Sequence, residues 1–194
     1  MIFLLCLGSC ATTTLTNVWK EKDYQSWPFD KIFVLVALQD PSLRRFSEDK
    51  IVSLLGLNGI QSVASYTILQ NYGISDKESI ASAIKESETD SFLIMRFIKI
   101  EIGDTYASEK KYTIPTWYHD WYTYYSRSFG HMQTPKYNDQ NFFAVIETNM
   151  YYVKTETLIW SARSEILMVA CGCEEIGSYI EDIIDKLISD QLIK

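Results

Sequence analysis

The sequence predicts a single α/β domain with a mixed sheet of about five strands and a C-terminal helix. Two observations carry this prediction. Strand and helix patterns alternate over the first hundred residues, and two neighbouring strand patterns with a short polar turn follow in the second half. A chain of 194 residues suits one such domain, because two independent domains would each have a small core. The domain is expected to span 31–194.

The first strand and helix are the clearest local predictions. The run KIFVLVAL at 31–38 is almost entirely apolar, as in a strand buried on both faces. Asp40 followed by Pro41 is typical of a helix N-terminus, since aspartate caps the free amides and proline suits the first turn. Asn58-Gly59 indicates where this helix ends.

The next elements continue the alternation. A strand is expected at about 60–66, and Ser75 with Glu78 forms a capping box for a second helix. A third strand is expected at 91–102. Strands joined by helices in this order form a parallel sheet with right-handed crossovers.

The second half predicts an antiparallel hairpin and a final helix. Residues 143–153 and 158–167 have strand character and are joined by the polar turn KTET. From about 174 to 193, isoleucine and leucine recur at helical spacing, which predicts an amphipathic helix packed on the sheet. The acidic residues of this helix are interpreted as its solvated face.

Net charge limits the classes of partner. The chain has 25 acidic and 18 basic residues, a net charge of −7, so it has no basic surface typical of nucleic-acid binding. An acidic chain is also not attracted to anionic lipid. No later stretch reaches the length of a membrane span, so any membrane attachment is expected at the N-terminus.

The N-terminus carries a cysteine in a characteristic context. Residues 2–9 read IFLLCLGS and precede Cys10, and the segment Leu7–Cys10 resembles the lipobox of bacterial lipoproteins. The resemblance implies that residues 1–9 are a signal peptide, that cleavage precedes Cys10, and that Cys10 carries palmitate and other acyl chains. No basic residue precedes the apolar run, which indicates a truncated start. A cytosolic protein with a chance apolar start is the alternative.

The same resemblance gives an expected location. Ala11 follows the cysteine, and in the resembled class this implies sorting to the outer membrane, with the domain facing the periplasm. Residues 10–30 are polar with scattered aromatic side chains and are interpreted as a lipidated tether.

A wider resemblance covers nearly the whole chain. The segments LTNVWKEKDYQSWPFDKIFVLVALQDPSLRRFSED, SVASYTIL, DKESIASAIKESETDSFLIMRF and LIWSARSE resemble a group of proteobacterial envelope lipoproteins without an established activity. Those proteins share a VWKDPxYxGxPFKK entry, an RRxFED helix and an LVWSA segment. The chain departs from them at Glu88, where a glycine is expected after the second helix. The resemblance implies an envelope location.

An insertion at 104–142 is rich in aromatic residues. Twelve of the chain's 27 aromatic residues lie between Tyr106 and Phe143, and so long a connection is usually functional or disordered. One hypothesis is an exposed partner-binding surface; the other is a segment that folds over the sheet and fills a satellite core. The rings proposed for partner binding are Trp117, Tyr118, Trp121, Tyr122, Tyr124 and Tyr125.

The insertion also contains residues of two further kinds of candidate site. Stacked aromatic rings near Asp120, Asp139, Gln140 and Asn141 could bind glycan, although any tyrosine-rich loop has such polar neighbours. His119 and His131, the only histidines, match no metal-ligand spacing, so no metal or cofactor is expected.

Cys171 and Cys173 are a candidate disulfide. An oxidising periplasm favours pairing, and the intervening Gly172 eases a tight bend. Free thiols are an equal alternative, and a redox-active bridge is a minor one. Arg44-Arg45 is interpreted as a surface pair that could bind an anion.

No catalytic constellation is recognisable. The chain has no GxSxG, no HExxH and no phosphate-binding glycine loop. The sequence therefore predicts a non-catalytic structural or interaction lipoprotein of the outer membrane that contacts an envelope protein through the insertion. The alternative is a periplasmic binding module for glycan or another small ligand.

Overall fold

The apolar and alternating runs of the sequence form the strands of one sheet in a computed structural model, which describes residues 15–22, 24, 28–69, 77–102, 114–129, 142–168 and 173–194. The strands are β1 Leu15–Lys20, β2 Lys31–Ala37, β3 Gln61–Ala64, β4 Ser91–Ile102, β5 Phe142–Tyr152 and β6 Thr157–Met168. The α-helices are α1 Pro41–Leu57, α2 Ser65–Ile68, α3 Lys77–Glu86, α4 Trp121–Phe129 and α5 Cys173–Ser189.

The predicted mixed α/β sheet is confirmed. Within the described ranges six strands are ordered β1-β6-β5-β4-β2-β3. Strand β2 pairs in parallel with β3 and β4, whereas β5 pairs antiparallel with both β4 and β6. The predicted caps of α1 are also present, because the Asp40 carboxylate accepts hydrogen bonds from the amides of Ser42 and Leu43. Gly59 follows this helix with φ +76°. Ser75, the other predicted cap, lies outside the described residues.

Strand β1 was missed by the sequence prediction. Residues 10–30 were predicted to be a tether, but Leu15–Lys20 pair antiparallel with β6 and form one edge of the sheet. Only alternate side chains of the first part of β1 are partly buried, so its apolar pattern is weak. Strand β1 forms because the outer amides and carbonyls of β6 need hydrogen-bond partners. The folded domain therefore includes Leu15–Lys20.

The sheet separates two apolar layers. Helices α1 and α5 cover one face, where the core includes Val34, Leu55, Trp160, Ile180 and Leu187. Helices α3 and α4 cover the other face, where aromatic side chains dominate the core: Phe33, Phe92, Tyr118, Trp121, Tyr124, Tyr125 and Tyr151. The insertion therefore supplies four of these seven aromatic side chains in the second layer.

A buried carboxylate fixes α1 to the sheet. Glu48 is fully buried and accepts hydrogen bonds from the Val36 amide at 3.0 Å, the Ser65 hydroxyl at 2.7 Å and the Tyr66 amide at 3.1 Å. Val36 lies beyond the last β2–β3 pair, so its amide has no partner on β3. Glu48 therefore satisfies backbone donors exposed where β3 ends and α2 begins.

Arg44 is the counter-ion of Glu48, not a surface residue. Its Nε donates to Glu48 Oε1 at 3.0 Å and its Nη2 donates to the Ser65 hydroxyl at 2.7 Å, with only 6% of the residue exposed. The interpretation of Arg44-Arg45 as a surface pair is wrong for Arg44. Arg45 is exposed and its guanidinium lies 4.9 Å from the centre of the Tyr66 ring.

Glu88 takes the backbone conformation for which a glycine was expected. It has φ +51°, in the left-handed region that glycine occupies without steric cost. An L-residue in this region costs on the order of 1 kcal/mol. The turn after α3 therefore forms with a non-glycine residue in this conformation.

We expect Glu48→Ala to lower the free energy of unfolding by about 3–5 kcal/mol, because it leaves the Arg44 guanidinium buried without a counter-charge. Urea unfolding followed by circular dichroism measures the change. The control is Glu181→Ala, which removes an exposed 2.6 Å ion pair with Lys50 and should cost at most about 1 kcal/mol. Equal losses in the two variants would contradict the role given to Glu48.

Candidate functional site

An ion pair lies in the middle of the sheet, beneath the insertion. Arg96 of β4 and Glu147 of β5 are directly opposite in the strand register, and Arg96 Nη2 lies 3.1 Å from Glu147 Oε1. Arg96 is 6% exposed and Glu147 is fully buried. Burying two charges costs several kcal/mol for each ion unless their remaining hydrogen-bonding atoms are satisfied.

Two tyrosines of the insertion satisfy this pair. Arg96 Nε donates to the Tyr124 hydroxyl at 2.5 Å, and Arg96 Nη2 donates to the Tyr118 hydroxyl at 2.9 Å. The Tyr124 hydroxyl in turn donates to Glu147 Oε1 at 2.7 Å. Asn149 Nδ2 adds a longer contact of 3.4 Å to the same carboxylate oxygen. Tyr124 thus bridges the cation and the anion.

Burial and the neighbouring groups together set the protonation states. Burial raises the pKa of Tyr124 well above its usual range, and the nearby negative charge of Glu147 raises it further. Burial alone lowers the pKa of Arg96, but Tyr124, Glu147 and Tyr118 together outweigh that effect and raise it. Tyr124 therefore stays protonated and can donate to Glu147 while Arg96 stays charged.

We call residues 114–129 the cap segment. It consists of a 3-10 turn at Thr116–Tyr118 followed by α4. The carboxylate of Asp120 accepts the Thr123 amide at 2.9 Å and so caps the start of α4. Two backbone hydrogen bonds attach the cap segment to the hairpin: Trp121 N to Glu156 O at 3.3 Å and Leu158 N to His119 O at 2.8 Å.

The predicted exposed aromatic surface is wrong for four of its six rings. Tyr118, Trp121, Tyr124 and Tyr125 are between 0% and 5% exposed and pack on the sheet. These four therefore support the alternative hypothesis of a satellite core. The other two, Trp117 and Tyr122, are partly exposed. Residues 104–113 and 130–141 of the insertion lie outside the described residues.

The outer face of the cap segment carries aromatic and basic side chains. Arg127 is exposed and its guanidinium lies 5.8 Å from the centre of the Trp117 ring. His119 is exposed and meets the Trp19 ring of β1 edge to face, with centroids 6.3 Å apart. Tyr122 contacts the first residues of α3. Lys77 Nζ lies 3.0 Å from the centre of the Tyr122 ring, and the Tyr122 hydroxyl donates to the Glu78 carboxylate at 3.0 Å.

We call the partly exposed and exposed set of Trp19, Trp117, His119 and Arg127 the rim. Arginine and tryptophan are enriched at protein interfaces, since both give large contact areas together with polar groups. The rim joins β1 to the cap segment through the Trp19–His119 contact. The Arg127 guanidinium lies over the Trp117 ring within cation–π distance.

Several predicted site residues lie outside the described residues: Cys10, His131, Asp139, Gln140, Asn141 and Cys171. Cys173 is partly buried at the first position of α5, and its pairing with Cys171 stays a prediction. Within the described ranges no three or more His, Cys, Asp or Glu side chains are grouped so that they could hold a metal ion.

Arg96 and Glu147 were not singled out from the sequence. Each is a charged residue within a strand whose neighbours are apolar, in SFLIMRF and FFAVIET. A charged residue in such a run is almost never fully buried unless it is paired, and this was the available signal. The register that pairs them could not be obtained from either run alone.

We expect Tyr124→Phe to lower the free energy of unfolding by about 1–3 kcal/mol, because the ring remains but Arg96 and Glu147 each lose a buried hydrogen bond. Tyr122→Phe is the matched control, since its hydroxyl bonds to Glu78 in an exposed position, and we expect a loss within about 0.5 kcal/mol. Chemical denaturation of both variants measures the difference. A Tyr124→Phe protein as stable as the control would show that the bridge contributes nothing.

The described helices include none with the length and apolar character required to cross a membrane.

No family model matches the chain, and no curated protein matches it. Among solved structures it is similar to a PelC dodecamer from Paraburkholderia phytofirmans, at 12% identity and a TM-score of 0.46, covering 92% of this chain and 99% of that one. Lipoprotein GNA1162 from Neisseria meningitidis matches at 10% identity and a TM-score of 0.43, covering 82% and 98%. A PDZ domain protein from Parabacteroides distasonis matches at 11% identity and a TM-score of 0.43. The match covers 88% of this chain and 34% of that one. These values do not establish a shared family or function.

Proposed function

We propose that this chain is a lipid-anchored protein of the outer membrane, facing the periplasm, that acts as a non-catalytic structural or interaction protein. The observation that carries the proposal is the spacing between the lipobox-like cysteine and the fold. Cys10 precedes Leu15, the first residue of β1, by five positions. An acylated Cys10 would hold the domain directly at a membrane, since several acyl chains give stable anchoring without a span.

The use of buried charge supports a structural role. Both buried arginine–glutamate pairs are bonded internally: Arg44 with Glu48, and Arg96 with Glu147. Glu48 is occupied by backbone amides, and Glu147 is covered by tyrosine. Carboxylates held in this way stabilise the fold, whereas a catalytic acid or base must reach its substrate.

The rim supports the hypothesis that the chain binds an envelope protein. Its rings and its guanidinium lie at the surface, while the cap segment beneath them is fixed by Tyr118 and Tyr124 on the ion pair. A rigid surface loses little conformational entropy when a partner binds. We assign the rim, in place of the buried rings, as the contact surface for an envelope protein.

A photo-crosslinking residue in place of the exposed His119 tests this assignment in intact cells that carry the anchored protein. We expect one discrete adduct with an envelope protein, and we expect Trp117→Ala to abolish it because the central ring of the rim is lost. The control position is Ser53, which is exposed on α1 across the sheet from the rim and should give no such adduct.

The outcomes separate the candidate functions. The adduct should also disappear in Cys10→Ser, because that protein would not reach the membrane. An adduct with glycan at position 119 would favour the alternative of a glycan-binding module. No adduct from a folded, acylated protein would contradict the rim as a contact surface.

A further inference from the structure

The reach of the N-terminal segment restricts which part of the domain meets the lipid. Five residue steps separate Cys10 from Leu15, and a fully extended chain of that length spans at most about 18 Å. Leu15 is paired with Ser164 of β6. The same end of the sheet holds the end of β6 and the beginning of β5, which are paired from Phe142 and Met168 onward.

From this geometry we infer that one end of the sheet rests on the bilayer surface. It is the end where β5 begins and β6 ends, marked by Phe143 and Leu167. The inference depends on the proposed acylation of Cys10 and adds the face that the anchored domain turns to lipid. We call this surface the membrane-facing end.

The membrane-facing end presents apolar side chains. Leu167 is 41% exposed, which is unusual for a large apolar side chain in this fold, and its cross-strand partner Phe143 is half-buried on the same face. Leu167 lies three residues beyond Ser164, about 10 Å along the strand. It is therefore within the distance that the anchor can reach.

Charge is consistent with contact through apolar groups. Arg163 and Glu165 lie on the same face of β6 as Leu167. Both are partly exposed, and their charges are opposite. The whole chain carries −7, so an anionic lipid surface would repel it. The occupant we assign is thus the neutral interface of a zwitterionic bilayer, held by the acyl chains of Cys10.

Leu57 provides a contrasting position. It is 80% exposed, more than Leu167, and it is the last residue of α1. Helix α1 returns to the opposite end of the sheet, where β2 and β3 begin with the pair Lys31 and Gln61. Strand rise and strand spacing place this corner about 30 Å from Leu15, beyond the reach of the anchor. Exposure alone would favour Leu57, whereas the anchor favours Leu167.

The test uses the full acylated protein, purified from cells and reconstituted in vesicles of dioleoylphosphatidylcholine. A photo-crosslinking residue replaces either Leu167 or Leu57, and mass spectrometry detects covalent phospholipid adducts after illumination. We expect lipid adducts at position 167 and none at position 57. Circular dichroism confirms that both variants are folded.

Failure of the orientation and failure of the anchor are distinguishable. The intact mass reports the acyl chains on Cys10, and an unmodified Cys10 would overturn both the anchor and the orientation. An acylated protein whose adducts form equally at both positions, or only at position 57, would overturn the orientation alone. Adducts at position 167 with a second copy of the chain would also overturn it, because this end would then be a contact between copies.

Discussion

The ion pair between Arg96 and Glu147 is the constraint on which the second layer of the fold depends. Neither charge is exposed enough to be hydrated, and each has hydrogen-bonding atoms that the other cannot satisfy. The hydroxyls of Tyr118 and Tyr124 supply those bonds. The cap segment must therefore lie over β4 and β5, because removing it would leave a buried pair short of partners.

This constraint links the insertion to the surface it presents. With Tyr118 and Tyr124 fixed on the pair, Trp121 packs edge to face on Phe92, with centroids 5.5 Å apart. Trp117 stacks on Tyr124 at 6.0 Å and keeps part of its surface exposed. The orientation of the rim residues that belong to the cap segment thus depends on polar bonds formed beneath them.

The parts of the fold that depend on local pattern were predictable. The parallel strands, the hairpin and the helix caps follow from apolar runs and from residues such as Asp40 and Gly59. Strand β1 was not predictable in this way, because its partner lies far along the chain; Thr16 bonds to the carbonyl of Arg163, for example. Backbone pairing with β6 and the partly buried side chains of Leu15 and Trp19 hold it in the fold.

Four of the six rings proposed for the candidate site are buried, as the alternative hypothesis of a satellite core requires. The aromatic density of 104–142 made this segment the candidate, yet tyrosine suits both an interface and a core that contains polar groups. What decides between them is the charge opposite each hydroxyl, and that charge comes from β4 and β5. The rings that were proposed for binding are mostly buried, while the basic partner of Trp117 went unnoticed.

Hydrogen exchange in Glu147→Gln tests most directly whether the ion pair holds the cap segment in place. The substitution keeps the size of the side chain but removes the charge opposite Arg96. Our account predicts that the amides of Tyr124 and Tyr125 in α4 exchange much faster than in the unaltered protein, while the amides of β2 keep their protection. Unchanged protection of α4 would contradict the account, since the cap segment would then be held by apolar packing alone.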